Sequence, residues 1–354
     1  MDRQREQEIK EIADRIGPLD GLAMEAAQRR LDSLTKPPGS LGKLEAIARQ
    51  LAGITGEIAP DLSRRAVIVM AGDHGVCEEG VSAFPAEVTP QMVYNFAAGG
   101  AAVNVLAKQA RAQVFCVDIG VNAELAHPSL LNRKVRKGTA NMTKGPAMTR
   151  DEALEAVTAG AELVRELHAQ GYRMFATGEM GIGNTTASAA LCVALAGMSE
   201  DEAVGLGTGI DDSRRLHKVD VVRRAIDRNR PDPGDPLDAL AKVGGLEIAG
   251  LAGLILGAAE LRCPVVIDGF ISTAAAVVAS AIAPKAAPYM IGSHLSQEQG
   301  HRKLLEKAGL EPLLHLDMRL GEGTGAVLGF HLIDAAVAVM KEMATFESAG
   351  VSKG

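Results

Sequence analysis

Residues 173–186 read RMFATGEMGIGNTT and set the pattern on which the whole chain is built. An apolar run ends at Glu179, glycines stand at positions 178, 181 and 183, and an Ala-rich stretch follows. A short apolar run bounded by glycine is typical of a strand buried on both faces, as in a parallel sheet. The segment therefore predicts a strand, a tight turn and a helix in succession.

The same pattern recurs five times. The other runs are AVIVMAGDHG (66–75), QVFCVDIGV (113–121), PVVIDGFIST (264–273), PYMIGSHLS (288–296) and LLHLDMRLGEGTGA (313–326). Such runs separated by helical segments predict an α/β fold, a Rossmann-like parallel sheet with helices on both faces. Ligands of these sheets bind where the strands end. The polar residues expected there, which indicate an enzyme, are Asp73, His74, Asp118, Glu179, Asn184, Asp268, Ser272, Ser293, His294, Arg319 and Glu322.

Length and composition agree with this fold. The 354 residues suit one large domain, or a large and a small one. Aromatic residues make up only 3% of the chain, so a core of Ala, Val, Leu and Ile in α/β layers is expected. The terminal segments 1–60 and 327–354 have helical spacing and are predicted to form a small helical subdomain beside an α/β catalytic domain at 61–326.

Charge and residue usage exclude several classes. A net charge of −7 argues against nucleic-acid binding, which needs a basic face, although one cationic pocket for a phosphate remains compatible. No apolar run reaches the ~18–20 residues of a membrane span, and the charged start is not a signal peptide. The four scattered cysteines indicate a reduced, cytoplasmic protein, and the eight histidines lack zinc-site spacing.

The turn at 178–186 is a candidate anion site. Gly178, Gly181 and Gly183 allow backbone N–H groups to approach a ligand, and the following helix adds its positive end. Asn184, Thr185 or Thr186 would cap that helix or donate to phosphate oxygens. The alternative is a plain strand-to-helix turn with a capping threonine. The loop is neither a Walker A loop nor a GxGxxG fingerprint.

A second glycine-rich segment spans residues 205–212. Gly209 would again allow close backbone approach, and Lys218, about two helical turns on, would reach a phosphate as a point charge. Alternatively, Lys218 is a solvated surface lysine. Asp211 and Asp212 suit a helix cap or a metal site, and the cap is favoured.

Two further segments carry candidate chemistry. In RLGEGTGA (319–326), glycines flank Glu322, so a flat ligand would fit against the backbone. Such a ligand would give up an N–H proton to the Glu322 carboxylate. The alternative is that Glu322 lies in an exposed loop. After AGDHGV (71–76) come Phe84, Val88 and Met92, with Ser82 and Gln91 as hydrogen-bonding groups. This mixture is typical of a pocket for a flat heteroaromatic ring, or of a loop anchored by its phenylalanine.

Taken together, these segments resemble the nicotinate-nucleotide:5,6-dimethylbenzimidazole phosphoribosyltransferases of cobalamin lower-ligand assembly. The resemblance covers nearly the whole chain in order. Its motifs are LTKPPGSLGKLE (34–45), AGDHGVCEEGVSAFPAEVT (71–89), TGEMGIGNTTASAA (177–190), GTGIDD (207–212), IDGFISTAAA (267–276), GSHLSQEQGH (292–301) and RLGEGTGA (319–326).

The resemblance implies transfer of 5-phosphoribose from nicotinate mononucleotide to dimethylbenzimidazole by a cytoplasmic homodimer that needs no metal or organic cofactor. It implies that Glu322 is the general base and Glu179 a second acidic residue. It further implies that the 178–186 loop, Gly209, Lys218 and Ser293 hold the nucleotide. Residues of 81–92, together with Leu320, would line the base pocket. Benzimidazole, a methoxybenzimidazole or a purine would serve as alternative bases.

Other classes remain as alternatives. A dinucleotide-dependent oxidoreductase would need GxGxxG after the first strand, where this chain has AGDHGV. A metal-dependent phosphohydrolase would use Asp73, His74, Asp211 and Asp268, and EDTA would abolish its activity. A non-catalytic module would bind the nucleotide without releasing nicotinate.

We predict that Glu322→Gln folds normally and loses most of kcat. General-base catalysis contributes about 10²–10⁴-fold, and an amide cannot accept the proton. Steady-state turnover of the purified variant, with circular dichroism as the folding control, measures the effect. Wild-type turnover in the variant would contradict the assignment.

Overall fold

A computed structural model describes residues 2–205 and 212–352. Within those ranges one sheet contains six parallel strands in the order β3-β2-β1-β4-β5-β6. The strands are β1 Arg65–Gly72, β2 Gln113–Gly120, β3 Leu130–Asn132, β4 Met174–Met180, β5 Val265–Ile267 and β6 Met290–Gly292. From β1 the chain builds outward through β2 and β3 on one side, and then through β4, β5 and β6 on the other. The loops that leave β1 and β4 therefore diverge and open a crevice at the carboxyl edge of the sheet.

Helices cover both faces of the sheet. In the described ranges they are α1 Asp2–Arg15, α2 Gly21–Ser33, α3 Lys43–Thr55, α4 Val88–Ala98, α5 Ala102–Gln109, α6 Arg150–Ala169, α7 Asn184–Ala196, α8 Glu200–Ala203, α9 Asp212–Asn229, α10 Pro236–Val243, α11 Leu246–Glu260, α12 Phe270–Ile282, α13 His301–Ala308, α14 Thr324–Glu342 and α15 Phe346–Ala349. Two short 3₁₀ helices span Gly75–Glu79 and Pro284–Tyr289.

Strand β1 separates two apolar cores. Successive side chains of a strand point to opposite faces, and in β1 Ile68 and Met70 join one core while Val67 and Val69 join the other. Helices α6, α11 and α12 build the first core, and α2, α3 and α14 build the second. The predicted parallel sheet with helices on both faces is confirmed.

The terminal helices divide between the two faces. Helices α2, α3 and α14 pack on one another, whereas α1 packs on α6 and α11 across the sheet. The division of the chain into 1–60 with 327–354 and 61–326 stays a prediction. Helix α14 has the length and hydropathy of a membrane span, 19 residues at 1.4, but half of it is buried in the protein against β4 and β5.

The predicted strand within residues 313–326 does not form. It meets the sheet edge only briefly in the described chain: Leu313 N donates to the Gly292 carbonyl at 3.2 Å, and Leu314 forms an isolated parallel bridge with His294. Four residues of the segment adopt positive φ angles, which a strand cannot include. They are Asp317, Gly321, Glu322 and Gly323. The sixth strand is instead the three-residue β3, which its short sequence did not indicate.

Helices α6 and α11 make the closest helix contact through glycines. A Cβ atom on Gly253 would lie 1.8 Å from the Val157 carbonyl oxygen, and one on Gly160 would lie 1.9 Å from that of Gly250. The backbones touch because neither glycine has a side chain.

We therefore expect Gly253→Ala to lower the free energy of unfolding by about 3 kcal/mol, because the added methyl group forces the two helices apart. Urea denaturation measures the change. Gly21→Ala is the matched control, since nothing lies within 4 Å of its Cβ position. A Gly253→Ala variant as stable as that control would contradict the packing described here.

Candidate active site

The turn that carries Glu322 crosses directly over strand β4. A Cβ atom on Gly178 would lie 2.5 Å from the Glu322 carbonyl oxygen, so only glycine at 178 lets the turn approach. Glu322 itself has φ +63°, a left-handed conformation that costs a non-glycine residue on the order of 1 kcal/mol. The side chain is buried, and its Oε2 atom has no hydrogen-bond partner. A strained backbone at a buried carboxyl, with one oxygen lacking a hydrogen-bond partner, indicates a functional group.

Asp268, just after β5, holds this turn in place. Its Oδ2 atom accepts a hydrogen bond from Gly323 N at 3.0 Å, and its Oδ1 atom accepts one from Ala326 N at 2.9 Å. These donors belong to the start of α14, whose positive end also favours the buried carboxylate. Asp268 thus ties β5, the turn and α14 together.

Glu179, at the end of β4, lies beneath the same turn. Its Oε1 atom accepts a hydrogen bond from Glu322 N at 3.3 Å, and Asn184 Nδ2 donates to Oε2. Burial, and then the charge of Asp268, raises the pKa of Glu179 to about 8. The same two causes raise the pKa of Glu322 to about 7. Near neutral pH, Glu322 can therefore both accept and release a proton.

Two helix N-termini face the opposite part of the site. Asn184 and Thr185 begin α7, and Ser272 lies in the first turn of α12. The Ser272 hydroxyl is buried without a hydrogen-bond partner. Lys218, which lies outside the cavity lining, donates to Thr185 Oγ1 at 2.7 Å. Burial lowers the pKa of Lys218 to about 8. Backbone N–H groups, hydroxyls and an ammonium group suit a phosphate.

An apolar wall completes a cavity of about 350 Å³. Phe84, Val88 and Met92 form it together with Leu320. Phe84 and Leu320 remain 52% and 56% exposed, so they stand at the mouth. One cavity is thus lined by two helix N-termini, by apolar side chains and by Glu322.

The chain matches a family model described as "Phosphoribosyltransferase" over residues 16–351. It is 56% identical to a nicotinate-nucleotide–dimethylbenzimidazole phosphoribosyltransferase of Chloroflexus aggregans, with 98% of both chains covered. The chain belongs to the nicotinate-nucleotide–dimethylbenzimidazole phosphoribosyltransferase family. It is 53% identical to the enzyme of that name from Geotalea uraniireducens, over 98% of this chain and 99% of the relative.

A crystal structure of the phosphoribosyltransferase of that name from Thermus thermophilus shares the fold. Its TM-score is 0.90 at 49% identity, covering 95% of this chain and 100% of that one. The protein is therefore an enzyme, a transferase of this family.

Many of the predicted site residues of this phosphoribosyltransferase meet in the cavity. Those in its lining are Glu179, Glu322, Gly181, Asn184, Thr185, Phe84, Val88, Met92 and Leu320. Those outside the lining are Gly178, Gly183, Thr186, Lys218, Ser293, Ser82 and Gln91. Gly209 lies outside the described residues.

Several of the outer residues have evident local partners. Ser293 donates its hydroxyl to the Asp268 carbonyl at 3.1 Å, and Ser82 accepts from Phe84 N at 3.1 Å. Gln91 is exposed on α4. Gly183 is the N-cap of α7 at φ +93°. The ligand roles of the whole predicted set stay predictions.

Five polar residues of the lining are not among the predicted site residues. They are Asp268, Ser272, Ser296, Glu298 and Arg319. Asp268, Ser272 and Arg319 are among the polar residues that the sequence places at strand ends, and this placement could have identified them as site residues. Ser296 and Glu298 follow β6 by several residues, and only their place in GSHLSQEQGH (292–301) marks them.

The adjacent Asp73 and His74 do not join the cavity. Asp73 Oδ2 accepts from Asn122 N at 2.8 Å, and His74 Nε2 lies 2.6 Å from Glu247 Oε1 in a buried pair. Across the described ranges, no three His, Cys, Asp or Glu side chains gather as metal ligands.

The raised pKa of Glu179 predicts a pH-dependent stability. Its folded-state pKa of about 8 exceeds the ordinary 4.5, so the folded protein holds a proton that the unfolded chain releases. The stabilisation of the folded state by this proton is complete below pH 4.5 and is lost as the pH rises towards 8. Between pH 5 and 8, the unfolding free energy of the wild type should fall relative to Glu179→Gln by about 1 kcal/mol per pH unit.

Urea denaturation at stepped pH measures that difference. Glu202→Gln is the matched control, because hydrogen bonds from Lys303 and Ser199 hold the pKa of Glu202 at about 2. Its difference from the wild type should stay constant over the same range. A constant difference for Glu179→Gln as well would contradict the protonated, buried Glu179.

Proposed function

We propose that the protein transfers 5-phosphoribose from nicotinate mononucleotide to 5,6-dimethylbenzimidazole, giving α-ribazole 5′-phosphate and nicotinate. The observation that carries this proposal is that Glu322, the helix N-termini of α7 and α12 and the apolar wall all line one cavity. A nucleotide phosphate suits the first side and a benzimidazole ring suits the second. The names of the relatives support the same pair of substrates.

The phosphate is assigned to the start of α7 and α12. Thr185 and Ser272 contribute hydroxyls there, and Lys218 supplies a positive charge through its contact with Thr185. Binding of a dianion favours the charged form of Lys218 and so raises its pKa from about 8. Gly178 and Gly183 shape this side without contacting the phosphate, and Gly209, Thr186 and Ser293 keep their predicted roles as proposals.

The benzimidazole ring is assigned to the apolar wall of Phe84, Val88, Met92 and Leu320. Because Phe84 and Leu320 are more than half exposed, the base end of the cavity opens to solvent. An apolar pocket discriminates one methyl group by only about 1–3 kcal/mol, so related bases are also accepted. Ser82 and Gln91 stay candidates for contact with the base.

Glu322 is assigned as the general base. One ring nitrogen of the benzimidazole bonds to the anomeric carbon of the ribose while the bond from that carbon to the nicotinate nitrogen breaks. The electron pair of the broken bond neutralises the pyridinium nitrogen, so the leaving group needs no proton. Glu322 takes the proton from the second ring nitrogen of the benzimidazole. Attack opposite the leaving group inverts the anomeric carbon from β to α.

Glu179 is assigned to the ribosyl centre. Burial keeps this carboxyl protonated below about pH 8 in the free enzyme. A cation nearby favours a carboxylate, so the bound pyridinium lowers the pKa of Glu179, which releases its proton to solvent before the ribosyl bond breaks. The resulting charge stabilises the transition state. We further infer a cytoplasmic homodimer that requires neither a metal nor an organic cofactor.

The test is a chromatographic assay of purified protein with nicotinate mononucleotide, dimethylbenzimidazole and EDTA. Nicotinate and α-ribazole 5′-phosphate should form in equal amounts. Because Glu322 must be ionised to act as base, kcat/KM should rise with pH through about 7. Glu202→Gln, on the exposed surface of α8, is the control and should match the wild type.

Failure to release nicotinate would reject the catalytic proposal. If nicotinate forms only with another base, the choice of dimethylbenzimidazole is wrong and the reaction class stands. Activity that requires a divalent metal after EDTA treatment would favour the metal-dependent alternative. A rate independent of pH between about 5 and 8 would remove Glu322 from the role of base.

A further inference from the structure

His301 joins two segments of the cavity wall through buried hydrogen bonds. Its ring is fully buried at the first position of α13. Ser296 N donates to His301 Nδ1 at 2.8 Å, and His301 Nε2 lies 2.9 Å from Thr273 Oγ1. The Thr273 hydroxyl in turn donates to the Gly269 carbonyl at 2.8 Å. Ser296 and Gly269 both line the cavity, whereas His301 does not.

The partners of His301 fix its tautomer. Because Nδ1 accepts a backbone N–H, that atom holds a lone pair and the proton resides on Nε2. The Nε2–H group then donates to Thr273 Oγ1, which leaves the threonine hydroxyl free to donate to Gly269. Burial and the neighbouring His294 ring lower the pKa of His301 to about 3, so the ring is neutral wherever the enzyme works. Every polar atom in this chain of bonds is satisfied.

Each of the two joined segments carries a serine of the cavity lining. Gly269 is the N-cap of α12, whose first turn presents Ser272 with no hydrogen-bond partner. Ser296 belongs to the loop between β6 and α13. These segments are far apart in sequence, and His301 spans the gap between them with one rigid ring, packed edge-on against Phe270 at 6.4 Å between centroids.

We propose that His301 is a positioning residue that sets the spacing between Ser296 and the first turn of α12, and so shapes the seat of the nucleotide phosphate. The proposal rests on the proposed function for the identity of that ligand. His301 touches neither substrate. It acts through the Ser296 amide and through Thr273, and it needs no change of protonation during turnover.

The test compares three variants. His301→Phe keeps a flat aromatic ring, somewhat larger than imidazole, and removes both hydrogen bonds. His301→Asn restores an acceptor near Nδ1 for the Ser296 amide. Leu304→Ala is the matched control, since it leaves a cavity at a buried position of the same helix and keeps the hydrogen bonds.

We expect His301→Phe to raise the KM for nicotinate mononucleotide about tenfold, because a buried N–H group is left unpaired and the loop moves. The KM for dimethylbenzimidazole and kcat should stay within about twofold, since the base wall and Glu322 are untouched. His301→Asn should recover part of the loss. Leu304→Ala should lower the melting temperature without this selective rise in KM.

Hydrogen exchange makes the result independent of the reaction. In His301→Phe the amides of 295–298 should exchange faster than in the wild type, and in Leu304→Ala they should not. Unchanged exchange in His301→Phe would overturn the proposal. So would a KM rise shared by both substrates, or an equal KM rise in Leu304→Ala. An inactive wild type would reject the proposed function, while the exchange data would still decide the role of His301.

Discussion

The carboxylate of Asp268, set against the first turn of α14, is the interaction on which the site depends. It accepts two backbone N–H groups of the turn and helix, so a buried charge that would otherwise be costly is stabilised by the positive end of α14. The same charge then acts on its neighbours. Together with burial it makes Glu179 and Glu322 weak acids, with Glu322 able to exchange a proton near neutral pH. The carboxylate that holds the turn in place therefore also contributes to the raised pKa values of Glu179 and Glu322.

The sheet order explains why chemically unlike walls meet in one cavity. The loops after β4, β5 and β6 bring α7, α12 and the residues near Ser296 to one side, and the segment after β1 brings Phe84 and α4 to the other. The turn 321–323 lies between them over β4. Each wall comes from a different crossover, so their spacing depends on side chains that bridge loops, of which His301 is the clearest example.

The sequence predicted most of this architecture because parallel strands buried on both faces leave long apolar runs. It predicted the 178–186 turn and Glu322 because glycine clusters at strand ends are typical of turns that approach a ligand closely. It failed for residues 313–326, where positive φ angles at Asp317 and at 321–323 exclude a strand. Ser296 and His301 stand in the motif GSHLSQEQGH (292–301), but that motif does not reveal their hydrogen bond, which depends on how the loop folds back onto α13. Ser82 and Gln91 were assigned from residue type and from the resemblance of the 81–92 segment, neither of which fixes the direction of a side chain, so their contact with the base stays a prediction.

The left-handed backbone of Glu322 has a consequence for how such a sequence changes over time. Glycine would fit φ +63° without strain, as it does at the flanking positions 321 and 323. Folding stability alone would thus favour replacing the glutamate, and the proposed role of Glu322 as general base gives a reason for keeping it. With that role, a descendant that no longer needed the reaction would be expected to drift to glycine at this position before its buried strands changed.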